Sequence, residues 1–189
     1  MGILSKLSGP FNLQIFELLI GESASVRDLA KMAGCSPAKI VQLMKAYSKN
    51  GLVAFEKDKN RKLIALNRSS PLTRELITLV YISKILDSKT FSLLEKFCDS
   101  VGVYGSVAEG TVDKKSDIDL WAVSGKKIGI VEAGKLRQQL TKELGKEVSL
   151  RFFTREGIKK LKENDRIFYN ELECKSRVLH GSGFCEEQG

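Results

Sequence analysis

The chain has 189 residues, 42% hydrophobic and 29% charged, the proportions of a soluble globular protein with one medium domain or two small ones. Its interrupted apolar runs, Leu13 to Ile20 and Leu76 to Leu86, are too short for a membrane span, and the start Met1 to Lys6 lacks the layout of a signal peptide. The net charge is +8, and residues 1–70 carry eleven Lys and Arg against five Asp and Glu, a surplus of +6 that points to a polyanionic partner, with a merely solvated basic surface as the alternative. Cys35, Cys98, Cys174 and Cys185 are far apart with no C-x-x-C pair, which reads as reduced thiols in a cytoplasmic protein rather than a zinc site or disulfide framework. His180 has no ligand partner nearby in sequence.

In chain order, Phe11, Ile15, Leu18 and Leu19 fall at helical spacing and predict a helix over 11–20. Ser25-Val-Arg-Asp28 is a capping-box start leading into Leu29 to Ala33, which stops at Gly34. Ser36 caps a third helix with Pro37 in the first position, where a missing N–H does no harm. Ile40, Met44 and Tyr47 form its apolar stripe, and Gly51 follows its end. Leu52 to Lys57 and Lys62 to Leu66 are strand-like and joined by Asp58-Lys-Asn-Arg61 into a hairpin.

Helix, capped helix, glycine turn, helix and hairpin together resemble a winged helix-turn-helix over residues 10–68. The resemblance implies binding to double-stranded DNA, with the third helix in the major groove. Lys39 and Lys45 would then contact phosphate, Gln42 an adenine edge, and Lys57, Lys59, Arg61 and Lys62 of the wing the backbone or minor groove. Winged helices also serve as protein-interaction or dimerisation modules. Ser69-Ser70 marks a boundary, and Pro71 to Asp87 reads as a linking helix whose broad apolar face must be buried, between domains or against a second copy or partner protein. A short helix over Phe91 to Phe97 leads into a strand at Gly102 to Tyr104.

Next come Gly105-Ser106 and, after ten residues, Asp117-Ile118-Asp119. A Gly-Ser turn offers backbone N–H groups and a hydroxyl to an anion, and carboxylates at i and i+2 of a strand point the same way. The pattern fits a polyphosphate held between amide donors and metal-bound carboxylates. With Gly110, Ser116, a helix at about Val131 to Leu144, a strand at Lys146 to Phe153 and the ending Cys174 to Gly181, residues 89–183 resemble the minimal nucleotidyltransferases of the DNA polymerase β-like superfamily.

The resemblance implies that Gly105, Ser106 and Ser116 hold a nucleoside triphosphate and that Asp117 and Asp119 are catalytic and bind Mg²⁺, while Arg151 has two readings, contact with the triphosphate or pairing with Asp117 and Asp119 in place of a metal. The expected fold is α+β. A winged helix-turn-helix domain occupies 1–70, a linking helix 71–88, and a small α/β nucleotidyltransferase domain with a mixed sheet flanked by helices 89–189. Two residues depart from the family. Ser149 stands where a third carboxylate usually lies, with Glu147 and Arg151 on the same strand face, and Glu109 stands where arginine is usual. Two functions follow as expectations: transfer of a nucleoside monophosphate to an acceptor, or transcriptional regulation by a nucleotide-sensing or interaction module that turns over weakly or not at all.

Overall fold

The computed structural model describes residues 10–58 and 61–185. The chain forms two compact units, 1–80 with 110–115 and 81–109 with 116–189. The division between Val80 and Tyr81 falls inside a helix, downstream of Ser69-Ser70.

The first unit opens with three helices, α1 (Pro10–Gly21), α2 (Val26–Met32) and α3 (Pro37–Lys49). Each start after the first has a local cause. The Ser25 hydroxyl oxygen accepts the Asp28 N–H at 3.2 Å while its own hydrogen goes to the Asp28 carboxylate at 2.6 Å. The Ser36 oxygen accepts the Lys39 N–H at 3.3 Å, and Pro37 opens α3. Gly34, at φ +61°, makes the tight turn between α2 and α3. The helices bury Ile15, Phe16, Leu19, Leu29, Ile40, Met44 and Tyr47 together, and the Tyr47 hydroxyl donates to the Asn12 carbonyl at 2.7 Å.

The hairpin follows as β1 (Val53–Asp58) and β2 (Arg61–Leu66), antiparallel from Val53↔Leu66 to Asp58↔Arg61, with an isolated bridge Ala24↔Ile64 beside it. This order of three helices and a hairpin is the winged helix-turn-helix arrangement. The unit is completed by residues 110–115. The Arg68 guanidinium donates to the carbonyls of Val112 and Ile20, each at 2.7 Å, and Lys114 pairs with Glu22 at 3.0 Å.

Helix α4 (Pro71–Leu86) is less covered than its apolar face predicts. Leu76, Ile77 and Ile85 are buried, but Leu79 and Leu86 are 57% and 43% exposed. The broad face thus divides into a buried stripe and an open margin.

The second unit is built on a four-stranded sheet. Its elements are α5 (Lys89–Phe97), β3 (Ser100–Tyr104), α6 (Gly105–Glu109), β4 (Ile118–Val123), α7 (Ile130–Leu144), β5 (Val148–Phe153), α8 (Arg155–Asn164), α9 (Arg166–Lys175) and β6 (Arg177–His180). Strand order is β5-β4-β3-β6; β4 and β5 run parallel through the α7 crossover, and β3 is antiparallel to both neighbours. Every β3 residue is buried, as a central strand covered on both faces requires. One core cluster joins Tyr104, Trp121, Val123, Ile158, Tyr169, Leu172 and Phe184. Phe184 sits edge-on to Trp121, Phe153 and Tyr169 at 5.2–6.2 Å between ring centroids.

Candidate functional site

The site in the second unit lies where β3 gives way to α6 beside the start of β4. Tyr104, the last residue of β3, pairs in register with Asp119. The chain then turns at Gly105 with φ +62°, a conformation that side chains disfavour. A Cβ at Gly105 would lie 2.9 Å from Asp119 Oδ2. Glycine is therefore needed twice, for the turn and for the approach of backbone to carboxylate. Ser106, half-buried, follows on α6. The Arg177 Nε, from β6, donates to the Ala108 carbonyl at 3.0 Å and braces the same short helix.

Asp117 precedes β4 and Asp119 lies within it, separated by the buried Ile118. The alternation of the pleat puts both carboxylates on the side away from Ile118. Burial, reinforced by the charges of Asp117 and Glu171, pushes the Asp119 carboxyl above its ordinary range, while a Ser149 hydrogen bond and the Arg151 charge oppose that rise. The rise means that the isolated site resists ionising Asp119 and that a cation placed there relieves the resistance.

Parallel pairing of β4 with β5 sets Asp119 against Ser149 and Trp121 against Arg151. Ser149 hydrogen-bonds both Asp119 and the Tyr104 hydroxyl, and Arg151 hydrogen-bonds the same hydroxyl. The Arg151 guanidinium also rests 4.9 Å from the Phe168 ring centroid, and Phe168 is edge-on to Tyr104 at 5.8 Å. Burial raises the Tyr104 hydroxyl above its usual range; the Arg151 charge opposes this, and that of Asp119 adds to it.

Gly105, Ser106, Asp117, Asp119 and Arg151 thus gather around one end of the sheet, with half-buried Ser116 directly before Asp117. Glu109 ends α6 exposed, and Glu147 uses its backbone carbonyl to accept the Ile118 N–H at 2.9 Å. Among the described residues no group of three or more His, Cys, Asp or Glu side chains is placed to hold a metal; the acidic donors are the Asp117 and Asp119 pair. Tyr104, Phe168, Glu171 and Arg177 are additional members that sequence reasoning passed over. Of these, Tyr104 had the plainest signal, being adjacent to the Gly-Ser turn.

In the first unit Lys39, Gln42 and Lys45 are exposed on α3, opposite buried Ile40, Met44 and Tyr47. Lys57, Arg61 and Lys62 are exposed on the hairpin, while Lys59 lies outside the described residues. Lys57 and Lys62 face each other directly across β1 and β2. The Lys62 ammonium lies 4.4 Å from the ring centroid of Phe55, which is itself 46% exposed.

No curated protein matches the sequence. Among solved structures, a toxin–antitoxin crystal structure with AMP-PNP is similar at 20% identity, covering 53% of this chain and 73% of that one with a TM-score of 0.42. A complex of tri-AMPylated Shewanella oneidensis HEPN toxin with MNT antitoxin matches at 16% identity over 56% of this chain and 73% of that chain, with a TM-score of 0.39. A homodimeric winged helix-turn-helix DNA-binding domain from Mycobacterium bovis matches at 19% identity, covering 42% and 72% of the two chains with a TM-score of 0.38. The sequence model of the nucleotidyltransferase domain family matches residues 83–174, which include the Gly-Ser turn, both aspartates and all of β3 to β5. Residues 83–174 thus carry a nucleotidyltransferase domain.

Proposed function

We propose that the protein binds a nucleoside triphosphate with Mg²⁺ in the second unit, transfers the nucleoside monophosphate to an acceptor hydroxyl, and is carried on double-stranded DNA by its first unit. The carrying observation is the turn at Gly105, whose bare Cα leaves its backbone against the Asp119 carboxylate. Amide donors and a pair of carboxylates line one space there, the chemistry a metal-bound polyphosphate needs.

In this reading the Gly105–Ser106 amides and the Ser106 hydroxyl donate to the phosphates that are not transferred. Arg151, held by Tyr104 and Phe168, donates to the triphosphate from the β5 side. Mg²⁺ held by Asp117 and Asp119 supplies positive charge for the triphosphate and for the departing pyrophosphate. The acceptor oxygen bonds to the α-phosphorus as the bond to the bridging oxygen breaks, and the chain's task is to hold those groups in line.

A second reading is favoured by Ser149 and Arg151 standing beside Asp119. There the nucleotide is a ligand of a transcriptional regulator and no transfer occurs. Incubation with each α-labelled nucleoside triphosphate, Mg²⁺ and duplex DNA separates the two. Label on protein or nucleic acid with wild type, lost in the Asp117→Ala, Asp119→Ala double variant, supports transfer. Retained nucleotide with no label on any acceptor removes the transferase reading in favour of the regulator.

A further inference from the structure

Two-metal phosphoryl-transfer sites hold their ions about 3.5–4 Å apart and need enough anionic ligands to share between them. Here the strand beside the aspartates supplies none. The register partner of Asp119 is Ser149, so β5 offers a neutral hydroxyl there and no carboxylate. The next residue on that face is Arg151, a fixed positive charge anchored by the Tyr104 hydroxyl and the Phe168 ring. The charge of Glu171, on α9, acts on Asp119, but no third acidic ligand joins the pair among the described residues.

We propose that this site takes one divalent cation with its nucleotide, and that the Arg151 guanidinium supplies the positive charge a second cation would otherwise bring. The proposal rests on the nucleotide-binding reading above and deepens it. One ion has both aspartates as ligands. A second, displaced toward β5, would find a neutral hydroxyl in place of an anionic ligand and meet a guanidinium of its own sign. Arg151 has the complementary fit for phosphate oxygens, since its fork can donate two parallel hydrogen bonds.

The test counts ions on the full chain. Mn²⁺ is titrated in the presence of α,β-methylene-ATP held below the protein concentration, with free Mn²⁺ read by electron paramagnetic resonance. The expected count is one Mn²⁺ per nucleotide-bound wild-type chain, one for Ser149→Ala, and two for Ser149→Asp. Arg151→Ala is expected to keep the count at one while nucleotide affinity falls about ten-fold, the loss of one charge-assisted contact. Circular dichroism melts establish that each variant is folded. A wild-type count of two, a Ser149→Asp count still at one, or unchanged nucleotide affinity in Arg151→Ala overturns the proposal and leaves the nucleotide site standing. Wild type that retains no nucleotide with Mn²⁺ overturns the site reading itself.

Discussion

Gly102 packs directly against a buried tryptophan in the second unit's core. A Cβ there would lie 2.3 Å from the Trp121 ring, and that ring is fully buried between β3 and the aromatic cluster around Phe184. The wall is an indole held on several sides, not the free end of a flexible chain, so it cannot step aside cheaply. Gly102→Ala is therefore expected to destabilise the protein by about 1–3 kcal/mol, the usual range for overpacking, and to lower the melting temperature by roughly 2–4 °C per kcal/mol for a chain of this size. A thermal melt that matches wild type would show that the indole repacks without cost. Nothing in the sequence around Gly102 announces this constraint, because Trp121 reaches it only through the β3–β4 register. The same holds for Tyr104 and Phe168 beside Asp119. Gly105, Asp117 and Asp119 were legible because short-range spacing on a turn and a strand encodes them. Tyr104 and Phe168 owe their place to pairing and docking that no local pattern carries.

At the scale of elements, the start of α5 shows how helices lean on one another. The Ser88 oxygen accepts the Phe91 N–H at 3.0 Å, and Glu143 from α7 accepts the Thr90 N–H at 3.1 Å and its hydroxyl at 2.8 Å. Partial burial tends to raise the Glu143 carboxyl, but hydrogen bonds from Thr90, Ser88 and Lys89 outweigh it and hold the group below its ordinary range. A carboxylate depressed in this way stabilises the fold above its unfolded value of 4.5, and that contribution fades as pH falls through the lower folded value. Glu143 is mostly exposed, so solvent screens the interaction and Glu143→Gln is expected to cost about 0.5–1 kcal/mol at neutral pH. Urea titrations at pH 7 and pH 4 check the sign, with the gap between wild type and variant narrowing at the lower pH; a gap that widens there refutes the assignment. Sequence reading placed this helix from Phe91 and missed its Ser88 cap. It also placed no helix between Phe153 and Cys174, where α8 and α9 meet at Asp165, which closes the first and caps the second with no glycine or proline between them. The starts at Ser25 and Ser36 were legible for the opposite reason, because each serine precedes an apolar period after a clear stop.

Across the whole molecule the positive charge is uneven, with +6 of the net +8 in residues 1–70. Lys57 and Lys62 stand directly opposite on the hairpin, a like-charge pairing that weakens a two-stranded ribbon, and exposed Arg61 follows beside them on β2. A polyanion laid along the wing turns that repulsion into attraction. Exposed Lys39 and Lys45 on α3 extend the same sign of charge within the first unit, with Gln42 between them. Binding to a duplex should therefore be governed by counterion release, the logarithm of affinity falling linearly with the logarithm of salt concentration. Lys39→Ala and Arg61→Ala are each expected to reduce that slope by about one and to weaken every sequence alike, as phosphate contacts do. Gln42→Ala is expected to leave the slope unchanged and to erase about 1–3 kcal/mol of preference for an adenine at one position, as loss of a base-edge contact does. Fluorescence anisotropy with labelled duplexes across a salt series reads all three variants. If wild type retains no duplex even at low salt, the basic face is a solvated surface and the winged helix serves another partner. If Lys39→Ala shifts sequence preference while Gln42→Ala shifts only the slope, α3 enters the groove in a different rotation from the one its exposed face implies.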